Sequence, residues 1–93
     1  MRVSMERFVS EVSGQAGTLC AVLDESTVFF SFDTIKARLS KKHITLNAAD
    51  KSFSLPRKEV YKINRMACKP DAEERAEYEI LTVHGNSIIV DVA

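Results

Sequence analysis

Leu19-Cys20-Ala21-Val22-Leu23-Asp24-Glu25-Ser26-Thr27-Val28-Phe29-Phe30-Ser31-Phe32 is the stretch that decides the fold. From here onward apolar side chains recur every second residue, which is the period of strands rather than helices. A four-residue turn over Asp24-Glu25-Ser26-Thr27 sets Leu23 opposite Val28, Ala21 opposite Phe30 and Leu19 opposite Phe32. Asp33-Thr34 then turns the chain so that Phe32 meets Ile35, Phe30 meets Ala37 and Val28 meets Leu39. Neither of those two turn residues favours the positive φ of a tight hairpin. Ser40-Lys41-Lys42-His43 brings Leu39 to Ile44 and Ala37 to Leu46. A turn through Ala48, Ala49 and Asp50 brings Leu46 to Phe53 and Ile44 to Leu55. One antiparallel register therefore gathers all of these apolar side chains on a single face.

On the N-terminal side, Val3, Met5, Phe8, Val9 and Val12 recur at near-helical spacing with Glu6, Arg7, Ser10 and Glu11 between them. This predicts a helix over about residues 3–13, with Gly14 placed for a left-handed cap. On the C-terminal side, Gly85-Asn86 signals a hairpin that pairs Val83 with Ile88, Leu81 with Val90 and Glu79 with Val92. The segment 56–69 reads two ways. Pro56 suits a first helical position, and Val60, Ile63 and Ala67 make a narrow helical stripe. Val60, Tyr61 and Ile63 are β-formers, however, and favour a strand. Pro70 ends the segment either way, and Pro70 to Ala76 reads as a loop or one helical turn. The expected fold is α+β, mainly β: a curled antiparallel sheet of about seven strands, a roll or partly open barrel, with one N-terminal helix.

At 93 residues with 45% apolar side chains, the chain suits a single domain with one core. Its longest apolar run, Leu19 to Leu23, is far short of the roughly 20 residues of a membrane-spanning helix. Glu6 and Glu11 interrupt any signal-peptide core, so a cytoplasmic location is expected. Cys20 and Cys68 have no local partner and read as reduced, structural thiols.

Charge is sorted along the chain although it sums to zero. Ten basic residues lie between Lys36 and Lys69, against Asp50 and Glu59 alone. The flanking segments are acidic. Lys36 and Arg38 project from the face opposite the apolar one, Lys41 and Lys42 occupy a turn, and Arg57, Lys58, Lys62 and Arg65 follow. These eight are candidate contacts for an anion, nucleic acid or an anionic membrane surface. They also read as solvated strand and turn residues, because the lysines lack interleaved aromatics; Tyr61 is the one ring near them in sequence.

Cys20, Val22 and Phe29 alternate away from the main apolar face yet are too apolar to remain in water. Either the helix covers them with Met5, Phe8 and Val9, or a second copy of the chain does. An apolar ligand pocket under the helix is the third reading.

Signals for chemistry are weak. Zinc ligands come in close sequence pairs, and no two of Cys20, His43, Cys68 and His84 are close, so no metal is expected. The flanks of Cys68 match no activation motif, and Gly14-Gln15-Ala16-Gly17-Thr18 lacks the lysine of a phosphate loop. Glu73, Glu74, Glu77 and Glu79 sit in a polar stretch with no apolar pocket to raise a carboxyl pKa. The expectation is therefore no enzyme and no cofactor.

His43-Ile44-Thr45-Leu46, Ser52-Phe53-Ser54-Leu55-Pro56, Val60, Ile63, Tyr78-Glu79-Ile80-Leu81 and the Gly85-Asn86 hairpin together resemble bacterial PH-like and GRAM-like domains, over roughly residues 35–92. In those families a strand writing "ITL" precedes a strand ending in "LP", and spaced aliphatics follow. They usually close one barrel end with a C-terminal helix, whereas the helix here comes first. The resemblance implies a non-enzymatic scaffold that binds phosphoinositide or protein, with Lys36, Arg38, Lys41 and Lys42 as its natural contacts. Taken together, the residues lead to a small interaction or structural module that associates with itself or another protein. The alternative is an anion-binding module using the basic segment 36–69.

Overall fold

The computed structural model describes residues 1–24, 26–66 and 75–92. Elements run β1 (Arg2–Val3), α1 (Met5–Val12), β2 (Gly17–Leu23), β3 (Ser26–Phe32), β4 (Ile35–Leu39), β5 (His43–Ala48) and β6 (Lys51–Pro56). A short 3-10 turn (Arg57–Glu59) leads to β7 (Val60–Met66), β8 (Ala76–Thr82) and β9 (Ser87–Val92). The protein is mainly β with a single N-terminal helix among the described residues. Its strands form two antiparallel sheets, a six-stranded one ordered β1-β7-β8-β9-β2-β3 and a three-stranded one ordered β4-β5-β6. Neither sheet closes on itself.

The smaller sheet follows the expected register: Leu39 opposes Ile44, Ala37 opposes Leu46, Leu46 opposes Phe53 and Ile44 opposes Leu55. The β2–β3 hairpin is tighter than expected. Leu23 pairs with Ser26, Ala21 with Val28 and Leu19 with Phe30, a slip of two residues. Asp24 takes a left-handed φ of 53°, which a short polar side chain tolerates. A slip of two leaves every side chain on its original face, so the core is unaffected.

The expected pairing across Asp33-Thr34 does not form. β3 and β4 are edges of different sheets, and the chain turns a corner between them. Phe30 of β3 stacks instead on Phe53 of β6, with ring centroids 6.2 Å apart and planes at 10°. The open question over 56–69 resolves as a strand over Val60–Met66 behind the 3-10 turn. Residues 67–74, which include Cys68, Glu73, Glu74 and most of the stretch read as a loop, lie outside the described residues.

The C-terminal hairpin differs by an odd number. Ile80 opposes Ile88 and Tyr78 opposes Val90, so the core side of β8 carries Tyr78, Ile80 and Thr82 rather than Glu79, Leu81 and Val83. The chain makes a longer turn in which Gly85 has φ 84° and the Thr82 hydroxyl accepts from the Asn86 amide at 3.0 Å. The turn is thus closed by Thr82 and Asn86, two residues earlier on β8 and one earlier on β9 than a Gly85-Asn86 turn would be, and Val83 is left 55% exposed.

The helix is shorter than 3–13. Ser4 caps it, its side chain accepting from the Arg7 amide at 3.1 Å, and this frees Val3 to pair with Ile63 as a two-residue edge strand. Gly14 follows the helix with φ 85°, as its position predicts. Ser13 then ties the helix end to β4, accepting from the Ala37 amide at 3.1 Å and donating to the Ala37 carbonyl at 3.0 Å. Phe8 packs edge-on against Tyr78 at 5.4 Å, and both are buried with Leu19, Ile35, Ile44 and Ile80 between the two sheets. Among the described residues, no helix is long and apolar enough to cross a membrane.

Candidate interaction surfaces

Two surfaces emerge from this arrangement. The first belongs to the larger sheet. Leu19 and Ala21 of β2 face the core, so Cys20 and Val22 face outward, and Phe29 of β3 stands directly opposite Cys20. Ile89 of β9 lies on the other side of Cys20, which gives the outer face an apolar row Phe29–Cys20–Ile89. Phe29 is 68% exposed and Val22 38%. The helix does not cover them. It packs on the Tyr78 side of the sheet, where Phe8 is fully buried and Met5 and Val9 lie half-buried against the core. Of the six residues read as one interface, Met5, Phe8 and Val9 are thus core, while Cys20, Val22 and Phe29 form an outward face.

Among the described residues β3 is also the edge of that sheet, paired with β2 alone. Leu23 and Ser26 flank a two-residue hairpin loop, a position whose residues form a hydrogen-bonded pair, so alternate residues of β3 bond back to β2. Thr27, Phe29 and Ser31 consequently turn their N–H and C=O groups away from the sheet. The seven residues Ser26–Phe32 contain no charge and no proline. Proteins commonly guard open edges with lysine or proline, and β6, the outer strand of the smaller sheet, has both Lys51 and Pro56. β3 has neither.

The second surface gathers some of the basic residues and disperses the others. Lys36 and Arg38 stand on the outer face of β4, opposite Asn47 and Thr45. Arg65 turns toward the helix, 4.0 Å from Glu11. Lys41 and Lys42 sit at the tip of a turn closed by Ser40, whose amide donates to the His43 carbonyl at 2.9 Å. The 3-10 turn comes alongside. The Arg57 amide donates to the Lys42 carbonyl at 2.8 Å, and the Arg57 guanidinium donates to the Ser40 carbonyl at 3.1 Å and to Glu6 at 3.2 Å. Lys41, Lys42, His43, Pro56, Arg57 and Lys58 thereby line one open cleft of about 590 Å³. Four of the eight basic candidates converge there. The sequence could not place them together, because the contact is made by a backbone bond between segments 15 residues apart in the chain, Lys42 and Arg57.

On the other side of Arg57 lies a smaller cleft of about 250 Å³, which Arg2, Tyr61 and Lys62 help to line. The strand pairing slips between Val60 and Lys62, leaving Tyr61 as an extra residue in a bulge, and its ring is 61% exposed. Tyr61 is therefore a surface ring, not a core one.

A part-buried polar link holds the helix to the larger sheet. The Tyr78 hydroxyl donates to Glu11 at 2.8 Å, and Arg7 pairs with the other oxygen of the same carboxylate at 2.6 Å. The Tyr78 bond holds the Glu11 carboxyl below its ordinary pKa, with Arg7 and Arg65 adding to the effect against partial desolvation. Burial, then the Glu11 acceptor, pushes the Tyr78 hydroxyl up. His84 meets Glu59 at 3.2 Å on the surface.

Comparisons with known proteins add no relative: no family model, no curated protein and no solved structure matches the chain.

Proposed function

We propose that this protein is a small non-catalytic interaction module that associates with a second copy of itself through the β3 edge. The observation that carries this reading is Phe29, 68% exposed in the middle of an uncharged edge strand whose alternate backbone groups point to solvent. Edge strands of this kind are templates for pairing with another chain.

A second copy fits for a geometric reason. A two-fold axis at Phe29 sets Phe29 opposite its counterpart and Thr27 opposite the partner copy's Ser31. These are the residues with outward backbone groups, so the pairing forms about six backbone hydrogen bonds. The Phe29 rings then lie side by side on the outer face, where cross-strand aromatic pairs are favourable. The outer faces of the two sheets join into one, and the row Phe29–Cys20–Ile89 extends across the axis. Zero net charge removes long-range repulsion between copies. The PH-like and GRAM-like resemblance points the same way, to a scaffold that works by binding.

Sedimentation velocity over a concentration series tests the proposal. The wild-type chain is expected to move from its 10.4 kDa monomer toward twice that mass as concentration rises. Phe29→Glu is expected to stay monomeric, because it places like charges directly opposite at the axis. Its fold is preserved, since the side chain is exposed in the monomer. A wild-type chain that remains monomeric into the high micromolar range contradicts the reading.

A further inference from the structure

The two clefts that meet at Arg57 carry a binding function separate from the β3 edge. We infer that they form one site for a short single-stranded nucleic acid, with phosphates taken by the lysines and a base stacked on Tyr61.

Cations gather around Arg57 in both clefts. Lys41, Lys42 and Lys58 border the larger cleft, and among the described residues no carboxylate lines it. Arg2 and Lys62 border the smaller one. Among the described residues none of these five cations has an ion-pair partner. Of the acids near the clefts, Glu6 is held by Arg57 itself and Glu59, at the end of the 3-10 turn, meets His84. Arg57 in turn is fixed by Ser40, the Lys42 carbonyl and Glu6, so it acts as the wall between the clefts and keeps them in a constant relation.

Charge alone suits any anion. Tyr61 narrows the choice. A regular strand would alternate Tyr61 with its neighbours, but the bulge between Val60 and Lys62 re-aims it. Its ring stands exposed beside the smaller cleft with the Lys62 ammonium 5.7 Å from the centroid. An exposed ring flanked by cations is the combination that holds single strands: the cations follow the backbone and the ring stacks on a base. A duplex hides its base faces, and a lipid headgroup has none to offer. The concave shape also fits a flexible strand better than a flat membrane.

Fluorescence anisotropy of a fluorescein-labelled oligothymidylate of about 12 nucleotides, at about 50 mM salt, tests the site. The wild-type chain is expected to bind, with affinity falling steeply as salt rises, because bound phosphates release counterions. Lys41→Glu/Lys42→Glu is expected to weaken binding about tenfold or more and to flatten the salt dependence. Tyr61→Ala is expected to weaken it about tenfold, while Tyr61→Phe, which keeps the ring, retains it. All three substituted positions are exposed, and circular dichroism confirms that the variants fold. Phosphatidylserine/phosphatidylcholine vesicles serve as the competing surface. No anisotropy change at low salt overturns the inference. So does binding that Tyr61→Ala leaves intact, or capture by vesicles without oligonucleotide binding.

Discussion

The Tyr78 hydroxyl donates a 2.8 Å hydrogen bond to Glu11 Oε2, joining the larger sheet to the only helix among the described residues. The link predicts a pH profile. Glu11 is held below its ordinary value of 4.5, so its contribution is present above that value and is lost as pH falls through the lowered one. Tyr78 is pushed above its ordinary value of 10.0, so its contribution is complete below 10.0 and is lost as pH rises through the raised value. Urea unfolding of wild type and Tyr78→Phe across pH checks this. The expected difference is about 1 kcal/mol near neutrality, shrinking at both extremes. A difference that does not vary with pH contradicts it.

Gly17, the first residue of β2, pairs with Phe32 on one side and Val92 on the other. A Cβ on Gly17 would fall on the carbonyl oxygen of Asp91, which belongs to the backbone of β9 and cannot swing aside. Gly17→Ala is expected to lower stability by about 2–4 kcal/mol, measured by urea unfolding. By contrast Gly14, which has open space around its Cβ position but a φ of 85°, is required by conformation and not by room.

Ala49 turns the chain between β5 and β6 with φ 54°, a region that costs a non-glycine residue about 1 kcal/mol or more. Ala49→Gly removes that cost and returns part of it through the greater freedom of the unfolded chain. The net expectation is a gain of about 0.5 kcal/mol, seen as a rise in Tm. A loss of stability would show that the turn is held by contacts of the Ala49 methyl group.

The parts of the fold legible in the sequence are those governed by short, local turns. Ser40 to His43 and Ala49-Asp50 join strands whose alternating apolar residues leave one workable register, and Leu39–Ile44 and Leu46–Phe53 pair as the pattern requires. At Leu23 the pattern fixes the face but not the step, because shifts by two preserve the alternation. At the C-terminal hairpin it fails. Tyr78-Ile80-Thr82 and Glu79-Leu81-Val83 alternate equally well, and the Thr82 hydroxyl bond that selects between them is invisible to hydropathy. The corner at Asp33-Thr34 was hidden for another reason: Ile35 exchanges backbone bonds with Gly14 and Gln15 rather than with β3, and Phe30 stacks on Phe53 across the core. The outward face was partly legible, since Cys20, Val22 and Phe29 stand out of phase with the core. The basic cleft was not, because it depends on the Arg57 amide reaching the Lys42 carbonyl.

Amide hydrogen exchange at Thr27, Phe29 and Ser31, followed as protein concentration rises, shows whether β3 pairs with a second copy. These three amides point away from β2, so in the monomer they face water; a paired second copy gives each an acceptor. Their exchange is expected to slow with concentration, while that of Val28 and Phe30, already bonded to β2, changes far less. Equal and concentration-independent exchange at Thr27, Phe29 and Ser31 would contradict that pairing.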